Sequence, residues 1–230
     1  FAQAWLDRSW LGHGPADVVQ QRLNWVGELG ALTQPGGMVV FAPHFVGLDA
    51  GGLAVSLDVP GPVAFIFVGQ SNPAVEAWVR HGRERSGNVR PYFRHQGMRQ
   101  ILAGIKKCEP LHLSPDMDFG RAESVFVPFM GVDKAATVPS LSRLSKVVGA
   151  RVVPVVTRMT AQGYDIEVHA PLQHFPSDDP VQDTARTNRL LAEWVRSMPE
   201  QYYWVHKRFK TQAEGKTASP YNRRSRREPQ

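Results

Sequence analysis

Apolar residues in this chain fall into two patterns that alternate along most of its length: short unbroken runs, and stripes at helical spacing. Runs at residues 38–42, 63–68 and 151–156 are rich in β-branched or aromatic residues, which predicts buried strands, and 110–114 reads as a further short strand. A further strand at 164–169 pairs with 151–156 as a hairpin through Ala161-Gln162-Gly163. Residues 18–26 read as a first strand, led through a Pro-Gly-Gly turn at 32–37 into the run at 38–42. Helical spacing predicts helices over 1–11, 47–57, 73–84, 96–107, 137–148 and 180–197. The third of these opens on Pro73 and closes on basic residues, the polarity that a helix dipole favours. Strands alternating with helices predict a single-domain α/β sandwich with a central, largely parallel or mixed sheet flanked by helices. In such a sheet the ligand crevice lies at the carboxyl ends of the strands.

Composition sharpens this picture. With 230 residues, 42% hydrophobic and 21% charged, the chain is long and apolar enough for one substantial core. No apolar run approaches the roughly 18 residues that cross a bilayer. The first residue is Phe rather than Met, so the expectation is a piece of a longer product, with an upstream anchor or targeting segment missing. One domain is expected over 1–212, followed by a disordered tail at 213–230 carrying Arg223, Arg224, Arg226 and Arg227, either a solubilising end or one drawn to anionic lipid. Cys108 is the single cysteine, which excludes an intrachain disulfide and a four-cysteine zinc site and favours a reducing, cytoplasm-facing setting. A net charge of +6 favours an anionic partner: nucleic acid, a membrane surface or a phosphorylated substrate.

Candidate chemistry begins at the end of the run 38–42, where Ala42-Pro43-His44 is followed by Asp49. Two residues five apart on a regular helix point roughly 140° apart. If His44 precedes the first turn, however, Asp49 reaches back to accept its ring N–H, fixing the tautomer of a general base. Pro115-Asp116-Met117-Asp118-Phe119-Gly120 follows another strand; its paired acids suit a divalent metal, a substrate hydroxyl or an Asx turn. Residues 124–132, interrupted by Pro128, suit a hydrophobic groove or the core. The aromatic face of residues 1–11 suits core packing or a lipid interface. In 198–210, Tyr202, Tyr203 and Trp204 stand beside Lys207, Arg208 and Lys210, which fits a membrane interface, a phosphate-bearing ligand or base stacking.

Taken in order, six segments resemble the late acyltransferases of lipid A biosynthesis over residues 20–215. They are Ala42-Pro43-His44 with Asp49, Gly82-Arg83-Glu84-Arg85, 115–120, 124–129, Val152-Val153-Pro154-Val155, and the closing run from Pro199-Glu200-Gln201-Tyr202 to Arg208-Phe209-Lys210-Thr211. Met117 stands where many members carry histidine, and Phe119 where many carry tyrosine. The resemblance implies a glycerolipid-acyltransferase-like fold. It also implies an inner-membrane enzyme, active on the cytoplasmic side, that moves a fatty acyl group from acyl carrier protein to a hydroxyl of an acylated lipid A precursor, with no cofactor or metal. The implied partners are acyl carrier protein, the glycolipid and an anionic membrane surface, with no nucleic acid. His44 and Asp49 are then the catalytic pair. Arg83 and, after it, Arg85 contact phosphate or the oxyanion, unless they pair structurally with Glu84 or Glu76. Asp116 and Asp118 position the acceptor sugar or the neighbouring loops. Rival readings are the same chemistry on a mannosylated phosphoinositide, a nucleic-acid module built on Trp204, Lys207, Arg208 and Lys210, and a metal site joining His44 and Asp49 to His81 or His95.

Overall fold

The computed structural model describes residues 2–86, 88–93, 98–214 and 220–221. His95 and most of the tail expected at 213–230 lie outside the described residues. In chain order the elements are α1 (Ala2–His13), α2 (Ala16–Gln20), β1 (Leu23–Gly27), α3 (Gly30–Thr33), β2 (Met38–Phe41), α4 (Leu48–Asp58), β3 (Val63–Phe67), α5 (Pro73–Ser86) and β4 (Val89–Phe93). They continue as α6 (Met98–Lys106), β5 (Leu111–Leu113), β6 (Val125–Phe129), β7 (Val132–Thr137), α7 (Ser140–Val148), β8 (Arg151–Met159), β9 (Tyr164–Val168) and α8 (Pro180–Ser197).

Seven strands form one sheet in the order β1-β9-β8-β2-β5-β3-β4, and only the β8–β9 hairpin is antiparallel. Alternate residues of each central strand face opposite layers, as strand geometry requires. Val40, Phe65 and Val153 pack under α1, α2 and α4, through Leu11, Val19 and Ala54 among others. Val39, Ala64, Leu111 and Val152 pack on the other side against Ile101 of α6, Leu141 of α7 and Leu191 of α8. Two cores on one sheet make a three-layer α/β domain, as the alternating pattern predicts. Helix α8 begins where its sequence says it should: the Asp179 carboxylate accepts the Val181 and Gln182 N–H groups, with Pro180 in the first turn.

Several expectations need correction. Residues 18–20 end helix α2 rather than begin a strand, and β1 pairs in parallel with β9 instead of leading into β2 as a neighbour. The predicted helix at 137–148 starts only at Ser140, because 132–137 forms β7, antiparallel to β6 in a separate two-stranded sheet. Strand β4 was not expected. Its Arg90 and Pro91 break the apolar run, and they are tolerated because β4 is an edge strand, where a missing N–H costs little.

The register of the central strands places the site. Phe41 of β2 pairs with Leu113 of β5 in parallel, so the chain leaves both strands at one level of the sheet. His44 and Asp116, each three residues further on, therefore emerge side by side. Helix α4, which follows His44, lies so close to β8 that a Cβ on Gly51 would fall 2.1 Å from Thr157 Oγ1 and 3.2 Å from its Cβ. Gly51→Ala is expected to push α4 off the sheet and destabilise the domain by about 1–3 kcal/mol, read as a lower denaturant midpoint at unchanged m-value.

Candidate active site

Beyond β2 the chain turns sharply, with the Phe45 N–H donating to the Pro43 carbonyl, and α4 starts at Leu48. His44 thus precedes the first helical turn, as the sequence suggests, but its ring partner is not Asp49. His44 Nδ1 lies 2.7 Å from Asp116 Oδ1, and the main-chain N–H of His44 donates to Asp116 Oδ2 at 3.0 Å. One buried carboxylate grips both the ring and the backbone of the histidine. The proposed His44–Asp49 hydrogen bond is corrected by this geometry. Asp49 sits in the first turn of α4 and is drawn instead to two guanidiniums, Arg8 Nε at 2.5 Å and Arg83 Nη2 at 3.5 Å. Asp49 still lines the same cleft as His44.

The electrostatics follow from this packing. Burial by itself would lower the His44 pKa, but the adjacent Asp116 charge, its hydrogen bond and the charge of Asp49 outweigh burial and raise it above 6.5. Burial pushes Asp116 the other way, and it is overcome by His44 as charge and as donor, so Asp116 stays ionised well below the usual carboxylate range. Nδ1 is held by the carboxylate, which leaves Nε2 as the nitrogen that serves the cleft.

That cleft has a volume of about 910 Å³ and runs along the carboxyl ends of β3 and β5. Its walls are mostly apolar, including Leu48, Leu53, Phe67, Ile101 and Leu144, and Arg8, Arg83, His13 and Arg143 also line it. Arg83 stacks its guanidinium 3.9 Å from the centre of the Phe67 ring while reaching Asp49. It pairs with neither Glu84 nor Glu76, the latter being taken by Arg80 and the Gln70 N–H.

Arg85, the second cation expected to contact substrate, is turned away from the cleft. Its guanidinium donates to the Gly12 and Gly14 carbonyls and caps the end of α1. Asp118 makes an Asx turn with the Gly120 N–H and accepts from the Thr211 N–H and hydroxyl, so it orders loops rather than facing substrate. Of the two acids after β5, Asp116 orients the histidine and Asp118 ties down the loop. Among the described residues, no group of three or more His, Cys, Asp or Glu is arranged to hold a metal ion.

The closing motif proves to be a strap across the same loops. The Val46 N–H donates to Gln201 O and the Tyr203 N–H donates to His44 O, with Phe45 and Tyr202 bridged antiparallel between them. Arg208, offered by sequence to an anionic ligand, is fully buried and donates to Ala136 O and Thr137 Oγ1. It also lies 4.7 Å from the centre of the Phe129 ring. Sequence reasoning missed Arg8 and His112, both of which line the cleft. Arg8 beside Trp5 on one helix was a signal for a surface contact only, and His112 inside an apolar run carried no signal at all.

Comparison with known proteins places the chain in a family. The family described as bacterial lipid A biosynthesis acyltransferase matches residues 1–211. The chain is 31% identical over 191 residues to the lipid A biosynthesis palmitoleoyltransferase of Escherichia coli K12, covering 82% of this chain and 60% of that protein. It is 29% identical over 216 residues to the myristoyltransferase of the same organism, covering 92% and 65%. Among solved structures, the 1-acyl-sn-glycerophosphate acyltransferase PlsC of Thermotoga maritima superposes with a TM-score of 0.47 at 14% identity, over 85% of this chain and 78% of that one. The chain spans about 60% of the length of the first of these relatives. By the match over nearly its whole length, the chain belongs to the bacterial lipid A biosynthesis acyltransferase family.

Proposed function

We propose that the protein moves a fatty acyl group from acyl carrier protein to a hydroxyl of an acylated lipid A precursor, at the cytoplasmic face of the bacterial inner membrane. The observation that carries this reading is His44, fixed through Nδ1 by Asp116 and opening into a large apolar cleft flanked by guanidiniums. His44 Nε2 takes the proton of the acceptor hydroxyl as its oxygen attacks the thioester carbonyl. The tetrahedral intermediate then collapses, the C–S bond breaks, and the departing thiolate takes the proton back from His44. Asp116 stabilises the imidazolium and keeps its own charge. Arg8 and Arg83 together carry one more positive charge than Asp49 neutralises, which suits an anionic group of the acceptor such as phosphate.

The setting is consistent with a lipid surface. Val68, Trp78, Met98, Phe119 and Val147 are exposed and also line the cleft, so its rim is apolar. No helix among the described residues is long and apolar enough to cross a membrane.

The direct test incubates the purified protein with acyl carrier protein thioesters and lipid A precursor and weighs the product by mass spectrometry. Acylation confined to a mannosylated phosphoinositide would overturn the acceptor. His44→Ala is expected to lower turnover on the order of 10²–10⁴-fold with an unchanged circular dichroism spectrum, and undiminished turnover would remove the base from the mechanism. For pH, the active form is the neutral imidazole, so kcat/KM should fall as pH drops through an apparent pKa above 6.5. Asp116→Asn removes the anion that raises this pKa, so the acid limb should move to lower pH while kcat falls by roughly 10²-fold or more from loss of the tautomer. A limb that stays in place would show that Asp116 does not set it.

A further inference from the structure

The cleft lies on both faces of the sheet. Phe65, Phe67 and His112 point into the layer of α4, whereas Ile66 and Leu113, the alternate residues of the same strands, point into the layer of α6 and α7, and all five line one cleft. On the first face the wall is completed by Gly52, Leu53 and Ser56 of α4 and Val79 of α5. A Cβ on Gly52 would come 3.0 Å from the Phe65 ring, so the glycine lets α4 approach this wall of the cleft closely, and a larger side chain there would press on Phe65. On the second face Ile101 and Leu102 of α6 meet Leu144 and Val147 of α7. The paired main chains of β3 and β5 lie between the two sets of lining residues, the branches of the cleft, and His44, beyond the end of β2, lines the same cleft.

We propose that these branches are two acyl-chain sites, the α6/α7 branch holding the chain of the donor and the α4/α5 branch holding a chain of the acceptor. The assignment rests on the acyl-transfer reading above, which requires two lipid chains to meet at one base. The polar groups of each branch set the direction. Arg8 and Arg83 reach Asp49 on the α4/α5 side, where an anionic headgroup attached to the acceptor chain meets them. The same branch contains His112, buried against Phe65 with its Nε2 lacking a hydrogen-bond partner among the described residues. Burial pulls the His112 pKa down to about 4, so its imidazole is uncharged and suits a chain that bears an oxygen substituent. On the other side Ile66, Ile101, Leu102, Leu113, Leu144 and Val147 form a hydrocarbon wall that suits an unsubstituted chain, with Ser140 and Arg143 of α7 as polar groups that also line the cleft.

The test measures transfer from acyl carrier protein loaded with chains of graded length, using wild type, Leu144→Phe, Leu144→Ala and Leu53→Phe. Leu144→Phe is expected to cut kcat/KM for the longest accepted donor about tenfold relative to a short one, and Leu144→Ala to shift preference toward longer donors. Leu53→Phe is expected to raise the acceptor KM about tenfold while the preferred donor length stays where it is in wild type. The assignment is overturned if both Leu144 variants keep the wild-type length profile, or if Leu53→Phe moves it. Absence of transfer by the wild-type protein would sink the acyl-transfer reading itself, an outcome separate from these. Circular dichroism identifies a misfolded variant, and the opposite signs expected of the two Leu144 changes leave one informative if the other fails to fold.

Discussion

The site depends on one carboxylate. Asp116 holds the ring and the main-chain N–H of His44 at once, from a position with almost no exposure to solvent. A buried carboxylate is costly unless its charge is met, and here the imidazole and the backbone amide meet it. The same pair gives the histidine its orientation, its tautomer and a pKa raised by a fixed negative charge. Base strength and loop geometry are therefore one interaction seen from two sides.

Around that pair the fold supplies support from distant parts of the chain. The strap from Gln201 to Thr211 adds a bridge to the His44 loop at one end and binds Asp118 at the other, while buried Arg208 anchors its middle to β7. Asp49, freed from the histidine, organises the mouth of the cleft by gathering Arg8 from α1 and Arg83 from α5. Three helices thus contribute to one charged cluster whose net sign is positive, beside walls that are mainly hydrocarbon. This combination is what the proposed lipid acceptor with an anionic head rests on.

The α/β class was legible because buried parallel strands read as unbroken apolar runs, and α8 was legible to the residue because Asp179-Pro180 is a strong local start signal. Strand β4 was hidden by Arg90 and Pro91, which only an edge position excuses. Strand β7 was hidden because Asp133 and Lys134 face solvent in a hairpin away from the main sheet. The charged candidates divided by their surroundings. Arg83 reached the cleft and Arg85, two residues on, was spent on the end of α1, because successive residues of a helix point in different directions.

By itself the sequence determined that a histidine would stand at the carboxyl end of a buried strand, ahead of a helix, and that acids would follow another such strand. Those are local facts, written in hydrophobic runs and turn residues. Which acid would hold the histidine was decided by tertiary structure alone. His44 and Asp116 are 72 positions apart, and they meet because β2 and β5 are neighbours in parallel register. Strand order is set by packing between layers, which no spacing along the chain records, so the nearby Asp49 looked like the partner and the distant Asp116 is the one.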